Sequence, residues 1–516
     1  MEKVNPNSFM GIFGALSLES RDESSVPQLL TDDSTYKFVS TPTAGVRTAS
    51  METVCVQDNP SISADEVIQE PSELPTSRQP SEDNEPYDPH DYCEAEESTS
   101  LWDSVNLLVI VGAGPIIFSL PSTFIRAGYL LGSVLMICLI LLYAYNMHLV
   151  VWTEYEICKI KRVPNMSYPE TLYCAFKMGP LWVRPMAPVA RCLLCSTQKM
   201  IWFGHGHYSY AFICRYLQIA IENFGGARVN EAILSPVLII PLVLLCWIPN
   251  LKYLASFSKI ANIANMIAII IVLYYVLSDP LPWLSLRPFG NYEDVPQFLG
   301  AILLSMKTAG ILMSIKNQMK RPGEFDGEYG VLMKSYLPIA LLYPCFSLIC
   351  SFKYGSSLEF SVLENLPKQF FTNLAFVLAT LAYMLQFPLI LYVPFDLIWN
   401  HMLKDGKKKI RAPKFWELTL RTVLVLLSYV LSASVSNVTI FVAVCGTIAS
   451  SIDSFLLPAI MQTLVLWKTC QSKTIFCCIL ARNTFTLVIG VVLIVSGVFD
   501  CFYQIIKYHG QLRNDT

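Results

Sequence analysis

From Trp102 to about residue 503, apolar runs of membrane-spanning length follow one another with only short polar gaps. A helix needs about 20 mostly apolar residues to cross the hydrocarbon core of a bilayer. In that medium every backbone N–H and C=O must be satisfied inside the protein, which restricts such a chain to packed helices. The runs predict spans near 104–123, 128–152, 188–218, 232–249, 258–277, 296–315, 333–353, 370–395, 416–435, 438–466 and 483–503. That is about eleven helices by the length rule. The run 438–466 is long for one span and is expected to tilt or to extend past the bilayer. The fold class expected is an all-α polytopic membrane protein.

Composition sharpens this. The chain is 53% hydrophobic and 15% charged, against about 25% charged in soluble domains. Its net charge of −3 joins two unlike parts. Residues 1–100 carry 20 acidic and 5 basic side chains, and the remainder carries 20 acidic and 32 basic. A soluble enzyme and a nucleic-acid binder are thereby disfavoured. The first hundred residues are rich in Ser, Thr, Pro, Asp and Glu and lack apolar periodicity. They cannot bury enough apolar surface to offset their ordering entropy. They are expected to form a disordered acidic cytosolic tail, open to cytosolic protein partners, before a transmembrane domain at 101–503. Residues 504–516 are expected to form a short extracytosolic tail. Tyr36-Lys37-Phe38-Val39 fits a Tyr-x-x-apolar sorting signal, a pattern also common by chance.

Lys and Arg placement sets orientation. With the N-terminus in the cytosol, inside loops hold the clusters Lys159–Arg162, Lys316–Arg321 and Lys404–Lys414, while outside segments hold few. An odd number of spans then puts the C-terminus outside. The residues do not distinguish a plasma membrane from an endosomal or lysosomal one.

Two spans contain helix breakers at their middle. The first has Gly112-Ala113-Gly114-Pro115, with Ile116 following, and the sixth has Lys307, Thr308 and Gly310. Broken helices at corresponding positions of two repeats mark the substrate site of many secondary transporters. The freed N–H groups face an anionic group and the freed carbonyls a cation. Five intervals separate the two breaks, which suits a five-plus-five inverted repeat. Ionisable residues at membrane depth are costly, about 2.5–3.5 kcal/mol on insertion scales, and default to function. Here these are Lys199, His205, His207, Lys307 and Asp453. Asp453 paired with Lys307 or Lys199 would lower that cost. His205 and His207 are two apart and point about 200° from each other on a helix, so they do not share a metal. No cofactor is implied. The histidines are scattered, and no nucleophile cluster or phosphate loop suggests an enzyme.

The chain resembles the proton-coupled amino-acid transporters of the amino acid/auxin permease superfamily, in a divergent insect-like form. The resemblance is carried by Tyr87-Asp88-Pro89-His90, Leu120-Pro121, Ala127-Gly128 and Thr197-Gln198. It continues through Asn317, Met319-Lys320, Pro322, Phe325 and Gly330-Val331-Leu332, then Phe352-Lys353-Tyr354-Gly355 and Asn365-Leu366-Pro367. It ends with Val393-Pro394-Phe395-Asp396-Leu397-Ile398-Trp399, Gly446 and Leu457-Pro458-Ala459. It implies eleven helices in the leucine-transporter-type fold, with symport of small amino acids and protons.

The departures bear on mechanism. Leu107 stands where the resemblance implies a proton-coupling His. Lys307 and Lys316 stand where it implies acids, and Asp453 where it implies an apolar residue. The Gly-x-Gly break that the resemblance implies is Gly114-Pro115-Ile116 here, and Pro115 has no N–H to offer a carboxylate. Three mechanisms remain open: proton coupling through Lys307, His205 and Asp453; an uncoupled facilitator; and an amino-acid sensor with little transport. The expected substrate site comprises Gly112, Ala113, Gly114, Pro115, Ile116, His205, Lys307, Thr308 and Gly310.

Overall fold

The computed structural model describes residues 37–39, 50–52, 87–92, 98–226, 229–278, 286–327, 329–404, 412–434, 442–470 and 472–515. Most of the tail 1–100 lies outside the described residues. Within it, strands β1 (Lys37–Val39) and β2 (Ser50–Glu52) pair antiparallel. All but the first residue of the sorting-signal pattern falls on β1.

The body is helical. Ser100 caps α1 (Leu101–Gly112) reciprocally with Asp103: the Asp103 N–H donates to Ser100 Oγ at 3.3 Å, and the Ser100 N–H to Asp103 Oδ2 at 3.2 Å. That exchange satisfies N–H groups that the first turn leaves without partners. The helix stops before Pro115, which cannot donate to an α-ladder. A 3-10 turn at Pro115–Ser119 then leads into α2 (Leu120–Ala127). Gly128, at φ 92°, ends α2 and starts α3 (Tyr129–Lys161). The loop at Gly290 passes so close that a Cβ there would lie 1.8 Å from the Arg126 carbonyl.

α4 (Tyr168–Met178) packs on α5 (Ala187–Asn223). The expected span 232–249 is instead two short helices, α6 (Glu231–Val237) and α7 (Ile239–Cys246). Pro236 inside α6 removes a ladder donor, and Pro241 follows in the first turn of α7. α8 (Leu251–Leu277) leads to the second broken pair, α9 (Val295–Ser305) and α10 (Ala309–Asn317). Then come α11 (Val331–Tyr354), α12 (Phe370–Lys404) and α13 (Pro413–Ser434). The long run expected at 438–466 contains π-helical segments at Val442–Ala449 and Ile452–Leu456 before α14 (Leu457–Thr469). α15 (Lys473–Asp515) continues through the residues expected to form the C-terminal tail.

Among the described residues, nine helices or broken-helix pairs are long and apolar enough to cross a membrane. α5, which carries Arg191, Lys199 and two histidines, is not one of them, and the pair α6–α7 is shorter. α12 packs against α5 and α8, and α1 against α8 and α11, so both breaks lie inside the bundle. α8, α13 and α15 expose apolar faces, such as Ile263, Ile270, Val423, Val430, Val488 and Val495.

Candidate functional site

At the first break, four consecutive carbonyls lose their helical partners and each accepts a side-chain donor from a different part of the bundle. Gln386 Nε2 of α12 donates to Ile110 O at 2.6 Å. Lys307 Nζ, from the second break, donates to Val111 O at 3.0 Å. The Tyr343 hydroxyl of α11 donates to Gly112 O at 2.8 Å, and Asn265 Nδ2 of α8 donates to Ala113 O at 3.1 Å. A buried carbonyl without a partner costs about 1–3 kcal/mol, so these donors hold the break open. Gly114 permits it: a Cβ there would lie 2.5 Å from Gln386 Nε2 and 2.7 Å from Ile110 O.

The second break is capped in the opposite sense. Its N–H groups on Thr308 and Ala309 donate to the Tyr143 hydroxyl of α3 at 3.0 and 3.2 Å, and that of Thr308 also reaches the Met306 carbonyl at 2.8 Å. Thr308 Oγ1 also bonds the hydroxyls of Tyr143 and Tyr336. The four carbonyls of the first break and the Thr308 and Ala309 N–H groups of the second are therefore met by the chain's own side chains.

One face of α5 closes the space between the breaks. Trp202 sits against the second broken helix, with its indole nitrogen 2.7 Å from where a Gly310 Cβ would be. Two helical turns along, the Tyr208 hydroxyl shares a 2.5 Å hydrogen bond with Ser119 Oγ of the first. His205 lies between them at i+3 from Trp202 and i−3 from Tyr208, on the same face. It is fully buried and within electrostatic range of Lys307. Neither ring nitrogen has a hydrogen-bond partner among the described residues. The structure thus gathers Gly112, Ala113, Gly114, Lys307, Thr308, Gly310 and His205 around the two breaks. Pro115 and Ile116 are buried in the 3-10 turn that follows the first.

The other intramembrane ionisable groups lie elsewhere. His207 faces α13, beside the Leu431 backbone. Lys199 is half-buried, about two helical turns before His205. Asp453, in the second π-helical segment, accepts from Gln198 Nε2 at 3.5 Å, and its backbone carbonyl accepts from the Tyr168 hydroxyl at 2.7 Å. The expected ion pair of Asp453 with Lys307 or Lys199 does not form among the described residues. Lys307 reaches across to the first helix instead, and an amide meets the carboxylate.

Sequence reasoning missed Gln386, Tyr143, Tyr343 and Asn265. The amides at 386 and 265 were visible as polar residues inside apolar runs; nothing local distinguishes the two tyrosines. It also missed Glu154. α3 runs past residue 152, and Glu154 forms a buried ion pair with Lys316 of α10 while accepting from the Met166 N–H at 3.1 Å. The pre-membrane segment docks beside this pair. His90 stacks on Tyr155 with ring centroids 4.8 Å apart, and Thr99 exchanges backbone hydrogen bonds with Gln318 and Lys320. Burial, then the Lys316 charge, hold the His90 imidazole below its ordinary value.

A family model described as transmembrane amino acid transporter protein matches residues 97–502. The chain belongs to this family. Curated relatives agree: proton-coupled amino acid transporter-like protein pathetic of Drosophila melanogaster is 27% identical over 429 residues, spanning 83% of this chain and 90% of that protein. Vesicular inhibitory amino acid transporter of Rattus norvegicus is 22% identical over 258 residues, 48% of each chain. Among solved structures, the nucleobase-cation-symport-1 family transporter Mhp1 in a closed, bromovinylhydantoin-bound conformation superposes with TM-score 0.50. It is 10% identical and covers 84% of this chain and 96% of that one. Its inward-facing conformation matches at TM-score 0.50 and 11% identity, covering 81% and 92%. At such identities the likeness concerns the fold alone, which is the leucine-transporter type with broken first and sixth helices. This transporter is a multi-pass membrane protein of amino-acid transport.

Proposed function

We propose that this transporter is a secondary active carrier of small amino acids, built on about eleven spans with its N-terminus in the cytosol. The observation that carries this reading is the Lys307 ammonium on the Val111 carbonyl, which joins the two broken helices at one buried point. A carrier that alternates access by rocking one repeat against the other keeps its ligand at such a junction. Coupling to protons requires a titrating group there. Leu107 is fully buried and cannot serve, so Lys307 and His205 are the groups assigned that role.

The test is flux. Full-length protein in proteoliposomes is screened with labelled small amino acids, with and without an inward proton gradient. Saturable uptake that the gradient drives and an ionophore abolishes is the expected result. Lys307→Glu should alter the pH profile or the substrate preference; identical profiles would remove Lys307 from the mechanism.

A second reading is favoured by the side-chain caps on both breaks. They make the described state self-sufficient, which suits a sensor whose ligand changes conformation without appreciable flux. Ligand-dependent signalling with no saturable uptake would select it.

A further inference from the structure

In a broken-helix site the simplest recognition of an amino acid uses backbone: carbonyls of one break for the ammonium, N–H groups for the carboxylate. The carbonyl set is not vacant here, and the N–H groups of the second break are engaged. The carbonyls of Ile110, Val111, Gly112 and Ala113 each accept from a side chain. The Thr308 and Ala309 N–H groups both donate to Tyr143, and Pro115 has no N–H at all. An arriving ammonium would have to displace one of four donors or share a carbonyl with it. It would also do so next to a resident ammonium of like charge, which opposes it.

Two buried side chains at the junction also have vacant donors. An ammonium has three N–H donors, and Lys307 has one hydrogen bond among the described residues, to Val111 O. His205 has a donor in either tautomer, yet neither ring nitrogen is partnered and the residue is fully buried. A buried polar group left without a partner calls for an explanation, and a bound ligand is one. The α5 face aims His205 correctly. Its neighbours one turn to either side, Trp202 and Tyr208, anchor respectively on the second and first broken helices.

We propose that Lys307 and His205 form an anion subsite for the ligand's carboxylate, while the first break, already holding its own ammonium, takes none from the ligand. A small carboxylate without an amino group is then a sufficient ligand. The proposal rests on reading this junction as the ligand site of a transporter. It makes Lys307 the specificity-determining residue.

The experiment uses full-length protein in lipid nanodiscs and follows thermal unfolding with three probes at equal ionic strength: propionate, L-alanine and propylammonium. Propionate and L-alanine should raise the unfolding temperature in a saturable way, and propylammonium should not. Lys307→Met should weaken propionate at least tenfold, and His205→Phe should weaken it in the same direction. Stabilisation by propylammonium alone, or by none of the three, overturns the subsite. So does unchanged propionate affinity in a folded Lys307→Met. If that variant does not fold, the wild-type probe series decides by itself. Vesicle uptake separates the two ideas: L-alanine accumulation without propionate binding sinks the subsite and leaves transport standing. Propionate binding without uptake of any amino acid does the reverse.

Discussion

Glu154 and Lys316 are the residues whose meaning changed most. By sequence Lys316 belongs to a basic loop that counts toward orientation, whereas it is buried and ion-paired inside the bundle. Removing one member of such a pair strands the other charge and costs about 3–5 kcal/mol, while apolar replacement of both is often neutral. Glu154→Ala should therefore lower the thermal unfolding temperature sharply, and Glu154→Leu with Lys316→Met should recover most of it. A double variant as unstable as the single one would mean the pair is not the source. His90 gives a second residue-scale prediction. Its lowered value, set by burial and the Lys316 charge against smaller opposing effects of Asp88, Glu154 and Asp91, means that docking favours the neutral ring. Docking strength is then full above the ordinary value of 6.5 and is lost as pH falls through the lowered one. Hydrogen exchange of residues 87–92 should accelerate on acidification. His90→Phe should keep the stack on Tyr155 and flatten that dependence.

At the scale of elements, the two breaks were legible because their causes are local. Pro115 has no N–H, and Gly114 leaves room that a methyl group would fill. Gly114→Ala should thus cut uptake at least tenfold in protein that still reaches the membrane. Gly327→Ala, where a Cβ meets nothing within 4 Å, should leave uptake unchanged. Equal behaviour of the two variants would show that the break does not need its glycine. Local signals also explain α4, whose Ser167 and Glu170 side chains bond in a capping box, Ser167 Oγ to Glu170 Oε2 at 2.9 Å. They mislead at α6 and α7, where hydropathy reads one span and two prolines make two helices. They are silent about which way a residue on α5 faces. Only packing shows His205 turned to the breaks and His207 turned to α13.

For the whole molecule, the Lys and Arg asymmetry predicts an inside N-terminus and an outside C-terminus. In intact cells a C-terminal epitope should be labelled without permeabilisation and an N-terminal one only after it; the opposite pattern would invert the topology. Run length, helix breakers and charge bias are properties of consecutive residues. The sequence by itself therefore determined a helical membrane bundle and the positions of its broken helices. The tertiary structure alone decided what occupies the breaks. The donors to Ile110, Val111, Gly112 and Ala113 come from 276, 196, 231 and 152 residues away. No periodicity links positions so distant. A polar side chain in an apolar run announces that it needs a partner, but the packing of helices chooses which partner it meets.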